Sequence, residues 1–352
     1  MIKQKDIREI LKGYDKKNIT IGVLGDHSGL QACHGAKTCG FRTVAVCQKG
    51  REKIYSKYYR SRGRKGVVDD IILLDNLGEI TKEEVQEELR RMNTILVHNK
   101  YFWFYCDFKG IEENFRVPIF GSRSLLRLEE RETPKNQYYL LKKAGIRFPK
   151  LFRNPRDIDR LVLVKAHEAC RGHERAFFFA NCYEEYLRKS EMMLKKGQIT
   201  HKSLENAVIE EYVLGTQINF NYFYSPINRE VEFMGTDTRR LTNLDALLSL
   251  PVTEQLETMR QVTPKMIETG HIPCTTRESM LERAFEIGEA FVEATRTEYP
   301  PGIIGPFALQ GCIVPGPPIE DIVVFDVSLR IPGNPGIRFS PHSSYLHARP
   351  IS

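Results

Sequence analysis

No apolar run in the sequence approaches the ~20 residues that a membrane-crossing helix needs, so a transmembrane helix is excluded as its organising feature. The opening residues, MIKQKDIREILKGYDKK, are charged throughout and lack the apolar stretch of a secretory leader; the expected location is the cytoplasm. No C-x-x-C pair occurs among the eight cysteines, which excludes the common zinc sites built from two closely spaced ligand pairs. Scattered as Cys33, Cys39, Cys47, Cys106, Cys170, Cys182, Cys274 and Cys312, they are expected to be reduced thiols. Tryptophan occurs once, and there is no internal repeat or low-complexity tract. Disorder is excluded in turn, because 41% of residues are hydrophobic, 10% are aromatic and strand-like runs recur. With 352 residues, the chain is long enough for two to three packed units.

Charge of one sign is scarce everywhere but in one place. The net charge is +7, and the segment 49–65 alone carries eight cations (Lys49, Arg51, Lys53, Lys57, Arg60, Arg62, Arg64, Lys65) against Glu52. The remainder of the chain is therefore neutral overall. Tyr55, Tyr58 and Tyr59 are interleaved with these cations, a pattern that can screen phosphates and stack on bases. The simplest expectation is a solvated loop, with a phosphate-facing or subunit-facing surface as the functional alternative and no nucleic-acid partner.

Asn18–Leu24 (NITIGVL) reads as a buried strand running into Gly25-Asp26-His27-Ser28-Gly29 and a helix over 30–37. Strand, glycine turn and helix together aim backbone N–H groups and a helix N-terminus at an anion. Further strands are expected at 41–48, 67–74 and 94–98, with an amphipathic helix at 83–93 between the last two. Such alternation predicts a parallel sheet. The glycines fit G-x-x-G (Gly22, Gly25) and lack the dinucleotide pattern G-x-G-x-x-G, which argues against a nicotinamide cofactor. The run 101–108 (YFWFYCDF) holds six aromatics in eight residues and is expected to be a buried strand. Beyond it a helix over 136–145 ends at Gly145, and 161–165 (LVLVK) and 176–180 flank a polar loop. Long helices are expected at 183–196 and 280–295. Strands at 207–215, 217–224, 231–235, 307–312 and 321–329 alternate as antiparallel strands do.

Four features of this second region carry chemistry. Lys165 leaves a strand beside a flexible loop, which suits a movable point charge on nucleotide phosphates. Glu210-Glu211-Tyr212-Val213 ends a strand and can offer backbone groups to an adenine edge and an acid to ribose hydroxyls. Gln310 and Asp326 lie on neighbouring late strands and could together hold Mg²⁺. Asp326, Ser328 and Arg330 alternate along one strand and are expected to share a face. Each feature alone is equally met by a snorkelling lysine or a solvated strand face; their order is what discriminates.

That order resembles the ATP-grasp superfamily, whose closing E-x-N-x-R is here D-x-S-x-R. More closely it resembles the archaeal PurP family of formate-dependent ligases acting on 5-aminoimidazole-4-carboxamide ribonucleotide (AICAR). The resembling segments are ITIGVLGDHSGLQACHGAK, VPIFGSRSLLRLEE, AGIRFP, IEEYVLGTQINFNYFYSP, TGHIP, RESM, PPGIIGPFALQ and VVFDVSLR, which run over nearly the whole chain. The resemblance implies an α/β front domain with a Rossmann-like parallel sheet (1–122) and an α+β ATP-grasp domain with antiparallel sheets (123–352), with a subdomain boundary near 208–215. It implies a carbon–nitrogen ligase that makes formyl phosphate from formate and ATP and passes the formyl group to the 5-amino group of AICAR. It further implies Mg²⁺ (or Mn²⁺) and a homo-oligomer. By position, His27, Ser28, Tyr101 and His271 would face the ribonucleotide; Lys165, Arg171, Gly172, Glu210, Glu211 and Val213 would bind ATP. Gln310 and Asp326 would hold the metal, and Lys165 and Arg330 would act on the transferring phosphoryl group.

The chain departs from the family at those same contacts. The glycine-rich loop after the strand lysine is here AHEACRGHER (166–175), in which only Gly172 remains and Glu168 and Glu174 stand where amides would approach phosphate. A P-H-G-S-like turn is His98-Asn99-Lys100-Tyr101, an asparagine is His271, a nucleotide-side acid is missing near Leu241, and a D-G-G-T-N-like loop is Ile331–Gly336. The family's final helix would lie beyond Ser352. A ligase with another carboxylate or amine, and a catalytically impaired nucleotide-binding paralogue acting as sensor or assembly partner, are the alternatives.

Overall fold

The computed structural model describes residues 2–25, 28–129, 133–166, 177–262, 267–316, 318–333 and 336–351. His27, Arg171 and Gly172, and with them most of the loop 166–175, lie outside the described residues.

The front sheet contains β1 (Thr20–Leu24), β2 (Arg42–Gln48), β3 (Asp70–Leu74), β4 (Thr94–Val97) and the short β5 (Ile119–Phe120). Its order is β3-β2-β1-β4-β5 and every pairing is parallel. The chain leaves β1 for β2 on one side, while β4 joins on the other, so the connections diverge at the carboxyl ends of β1 and β4 and open a crevice there. Gly25, Ser28, His98 and Asn99 stand at that edge. The helix Gly29–Thr38 starts in the same place, and glycine is needed at its first position. A Cβ on Gly29 would come within 2.8 Å of the Leu24 carbonyl and 3.0 Å of the Tyr55 hydroxyl. Tyr55 belongs to the basic segment, where a short helical turn, Ile54–Tyr58, buries it beneath the glycine turn while Tyr58 and Tyr59 stay exposed. One tyrosine of the three is thus a packing residue of the crevice.

The aromatic run is not a strand. Lys100–Tyr105 is a helix, started by the Asn99 side chain, which accepts from the Tyr101 N–H at 3.1 Å. Helical winding places Tyr101 and Tyr105 four residues apart on one side, stacked at 5.7 Å, and sends Phe102 inward against Phe115 at 5.0 Å. A cap and i,i+4 aromatic packing outweighed the β-propensity of the run.

The large antiparallel sheet has the order β12-β11-β10-β13-β14, with β10 (Thr216–Ser225), β11 (Glu230–Leu241), β12 (Glu268–Cys274), β13 (Gly305–Val314) and β14 (Asp321–Ser328). Ile218, Phe220 and Tyr222 alternate onto the face covered by the helices Gln137–Lys143 and Glu278–Glu298 and form the main core with Phe291, Phe307 and Leu309. Tyr222 stacks on Phe307 at 4.9 Å and donates to the Ala284 carbonyl at 2.8 Å. A smaller antiparallel sheet, order β6-β9-β7-β8, combines β6 (Leu151–Phe152), β7 (Val162–Lys165), β8 (Phe177–Ala180) and β9 (Val208–Glu211) with the helix Tyr183–Lys195. β11 runs well past the expected 231–235, and β12, which holds the TGHIP segment, has no counterpart among the sequence expectations. Among the described residues no helix is long and apolar enough to cross a membrane, and the seven described cysteines are free thiols.

Candidate active site

The small sheet meets the large one at Lys165 and Glu210. Leu163 and Lys165 pair with Glu210 and Val208 across the β7–β9 ladder, so Lys165 at the end of its strand reaches the neighbouring acid. The ammonium lies 2.5 Å from Glu210 Oε1, with only 15% and 4% of the two side chains exposed. The other Glu210 oxygen accepts from the Tyr138 hydroxyl. Lys165 also sits 6.0 Å from the ring centre of Phe325, which places it over the residue preceding Asp326. Glu211 points the other way, 3.2 Å from the Arg160 guanidinium and 3.2 Å from the Lys150 N–H. Val213 packs on Cys312, Val314 and Val323 of the large sheet, and its carbonyl accepts from the Cys312 thiol at 3.7 Å. The 210–213 segment thus bridges the two sheets.

Beneath it a polar row crosses the large sheet. Asp237, Asn219, Gln310 and Asp326 are successive ladder partners on β11, β10, β13 and β14, so all four side chains rise from the same face. The expected pairing of Gln310 with Asp326 is present, and Ser328 shares the face, accepting from the Gln310 amide at 3.2 Å. Arg330 is two residues beyond the strand end. Its buried guanidinium lies 3.5 Å from Glu129, which also accepts from the Leu329 N–H at 2.6 Å. Burial pushes the Glu129 carboxyl up and Arg330 draws it down, with a net rise. Glu129 lay in the resembling segment VPIFGSRSLLRLEE, but nothing in its spacing marked it.

His271 reaches this row from β12, where it pairs with Arg239. Its Nδ1 meets Asp237 and its Nε2 is 2.9 Å from Glu268 Oε1. A carboxylate can only accept, so both ring nitrogens must donate and the imidazole is protonated. Burial pulls its pKa down, but the hydrogen bonds to Asp237 and Glu268 prevail and raise it to about 9. Asn219 and Asn221 brace Asp237 at 2.9 and 2.7 Å, and with His271 they hold its carboxyl below the usual range against the upward push of burial. Glu268 also lies 3.1 Å from Arg239 Nε, and Arg239 Nη2 donates to Gln310 Oε1. Sequence reasoning missed Asp237, Arg239 and Glu268, because i+2 alternation on unassigned strands gives no cross-strand neighbours. Leu241 ends β11 opposite Glu268.

In the crevice, Ser28 donates to the Pro332 carbonyl at 2.8 Å and so ties the glycine turn to the segment after β14. His98 is buried at the end of β4, and desolvation lowers its pKa to about 4, helped by the nearby Arg330 and Arg123. Tyr101 stands on the short helix beside it. The structure therefore gathers Lys165, Glu210, Gln310 and Asp326 at the sheet junction and sets His271 on the far strand β12 of the same sheet, while Ser28 and Arg330 stand beside the front crevice and Tyr101 on the short helix after β4.

A Rossmann-like sheet feeding two antiparallel sheets, with a strand lysine set over a glutamine–aspartate row, is the architecture of an ATP-grasp enzyme of the carbon–nitrogen ligase type. Two family models match the chain: "Protein of unknown function (DUF1246)" over residues 21–152 and "Domain of unknown function (DUF1297)" over residues 185–352. The 5-formaminoimidazole-4-carboxamide-1-(beta)-D-ribofuranosyl 5'-monophosphate synthetase of Methanocaldococcus jannaschii is 39% identical across 100% of this chain and 94% of the relative. Its namesake from Methanothermobacter thermautotrophicus is also 39% identical, across 100% and 93%. An IMP biosynthesis protein PurP from Thermococcus kodakaraensis has a similar structure, with a TM-score of 0.67 at 23% identity over 94% of this chain and 91% of that one. N5-carboxyaminoimidazole synthetase from Staphylococcus aureus, solved with ADP, follows the same fold with a TM-score of 0.60 at 16% identity over 96% and 80%. The chain belongs to the PurP family of 5-formaminoimidazole-4-carboxamide ribonucleotide synthetases.

Proposed function

We propose that this chain joins formate to the 5-amino group of AICAR at the expense of ATP, as a cytoplasmic enzyme of purine synthesis that assembles as a homo-oligomer. The proposed division is a front domain over 1–122 and an ATP-grasp domain over 123–352, hinged near 208–215. Formate oxygen attacks the γ-phosphorus of ATP, giving formyl phosphate and ADP. The amine nitrogen then attacks the formyl carbon, phosphate leaves, and the nitrogen proton departs with it. The chain's own part is positioning and charge. Lys165 leaves Glu210 for the nucleotide phosphates, and Glu210 with the Glu211 and Val213 backbone flanks the adenosine, the Glu211 side chain being turned away to Arg160. Arg171 and Gly172 would close the loop over the phosphates. Arg330, held by Glu129, faces the transferring phosphoryl group. His27, Ser28, Tyr101 and His271 would line the ribonucleotide side.

Among the described residues no group of three or more His, Cys, Asp and Glu side chains is arranged to hold a metal ion. Of the Gln310–Asp326 ladder pair, the Asp326 carboxylate fits Mg²⁺, which takes one or two protein oxygens and completes its shell with phosphate and water, while Gln310 Oε1 already accepts from the Arg239 guanidinium. When bound there, the ion supplies charge neutralisation for the phosphates.

The observation that most supports this reading is the placement of Lys165 over Phe325, next to Asp326, in a chain whose full length aligns with the named synthetases. The test is product analysis with ATP, Mg²⁺, formate and AICAR. The expected result is the formamido ribonucleotide with matching ADP and phosphate, and none of the three without formate; ADP released equally without AICAR or formate would sink it. His271, saturated by two carboxylates where the family has an asparagine, favours a second reading in which the carboxylate or amine differs. Turnover with another small carboxylate in place of formate would select that reading.

A further inference from the structure

We infer that Arg239 holds the cation position beside Gln310, so that the large sheet takes one divalent cation with the nucleotide, at Asp326, and not two. The inference rests on the nucleotide-binding part of the function proposed above.

Gln310 has one side-chain oxygen, and Arg239 Nη2 donates to it. Its amide nitrogen donates to Ser328 Oγ at 3.2 Å. The orientation of this amide is fixed by chemistry, because the opposite rotamer would set an NH₂ group against a guanidinium, donor against donor. The oxygen a metal would need is therefore already bound to a positive charge. Nor is Arg239 a wandering side chain. Glu268 Oε2 forms an ion pair with it, 3.1 Å from its Nε, and the other Glu268 oxygen is held at 2.9 Å by His271. His271 in turn is pinned to Asp237, which Asn219 and Asn221 brace from β10. Asp237, His271, Glu268, Arg239, Gln310 and Ser328 are thus linked by hydrogen bonds and, at Glu268–Arg239, an ion pair, across β12, β11, β13 and β14.

The same linkage occupies the row's other carboxylate. Asp237 Oδ2 accepts from Asn219 and His271, and its Oδ1 accepts from Asn221. Asp326 stands at the opposite end, next to the Phe325 ring beneath Lys165. A second divalent ion at Gln310 would lie against the guanidinium, with like charges in a poorly solvated place. The guanidinium itself offers what such an ion would: a fixed positive charge, with directional N–H groups for a phosphate oxygen.

The experiment is equilibrium dialysis of the full chain against Mn²⁺ and saturating ADP, counting both retained per chain. The expected result is one ADP with one Mn²⁺. One ADP with two Mn²⁺, or with none, overturns the inference and leaves nucleotide binding standing. No retained ADP overturns the nucleotide-binding reading and this inference with it. The double variant Arg239→Met/Gln310→Glu removes the guanidinium and supplies a carboxylate, and it is expected to retain a second Mn²⁺. A variant that retains ADP but stays at one Mn²⁺ overturns the assignment of that position to Arg239.

Discussion

Lys165 and Glu210 neutralise each other inside the sheet junction, so removing either one strands a buried charge. Lys165→Met is expected to destabilise the chain by about 3–5 kcal/mol in urea unfolding, the usual cost of breaking a buried pair. Adding Glu210→Gln should restore most of that stability without restoring ADP affinity, which calorimetric titration should find weakened at least tenfold. Recovery of both would reduce the lysine to a structural counter-ion. His271 supplies the second test at this scale. Its pKa in the folded chain, about 9, lies above the ordinary histidine value, so the protonated form stabilises the fold. That contribution is whole below about pH 6.5 and fades as pH rises toward and through 9. Urea midpoints measured from pH 6 to 10 should fall across this window, and His271→Asn should flatten the fall; an unchanged slope in the variant would assign the pH dependence to other groups.

The helix Glu278–Glu298 lies close on the large sheet because Gly288 leaves room for the Tyr222 ring. A Cβ at 288 would stand 2.7 Å from Tyr222 Cε1, and that ring is locked by its stack on Phe307 and its bond to Ala284. Gly288→Val should therefore cost about 1–3 kcal/mol by overpacking, while the exposed Val252→Ala on the helix Val252–Gln261 should cost almost nothing in the same unfolding measurement. Elements were legible wherever period and punctuation agreed. The 136–145 helix, for example, carries an Asn136 cap and a left-handed Gly145, and both are visible in the letters. The aromatic run 101–108 misled because β-propensity describes a residue's fit to a pleated surface, and here no strand neighbour supplies that surface. TGHIP stayed invisible as β12 because its glycine and proline read as breakers, although an edge strand tolerates both.

Across the whole molecule, the nucleotide is expected to couple the small sheet to the large one. Saturation to a hundred times Kd adds about 2.7 kcal/mol to the folded state, so ADP with Mg²⁺ should raise the thermal midpoint by several degrees. A midpoint that does not move would count against an intact nucleotide site. The front unit has its own signature. Burial pushes the thiols of Cys33, Cys47 and Cys106 up to about 12, whereas Cys39 is exposed. Alkylation of the native chain followed by peptide mass analysis should modify Cys39 well before those three. Early modification of Cys33 would mean that the front core opens readily.

The sequence by itself determined the kind of molecule: a parallel α/β unit followed by antiparallel sheets, and the positions of Lys165, Glu210, Gln310 and Asp326. Those features are local, because hydrophobic period, glycine turns and the spacing of residues along one strand are written in neighbouring letters. Tertiary structure alone decided who meets whom. Asp237, His271, Glu268 and Arg239 come from two strands joined by a helical excursion, and Glu129 reaches Arg330 across two hundred residues of chain. Strand register sets such contacts, and register depends on the packing of whole faces, which no single segment encodes.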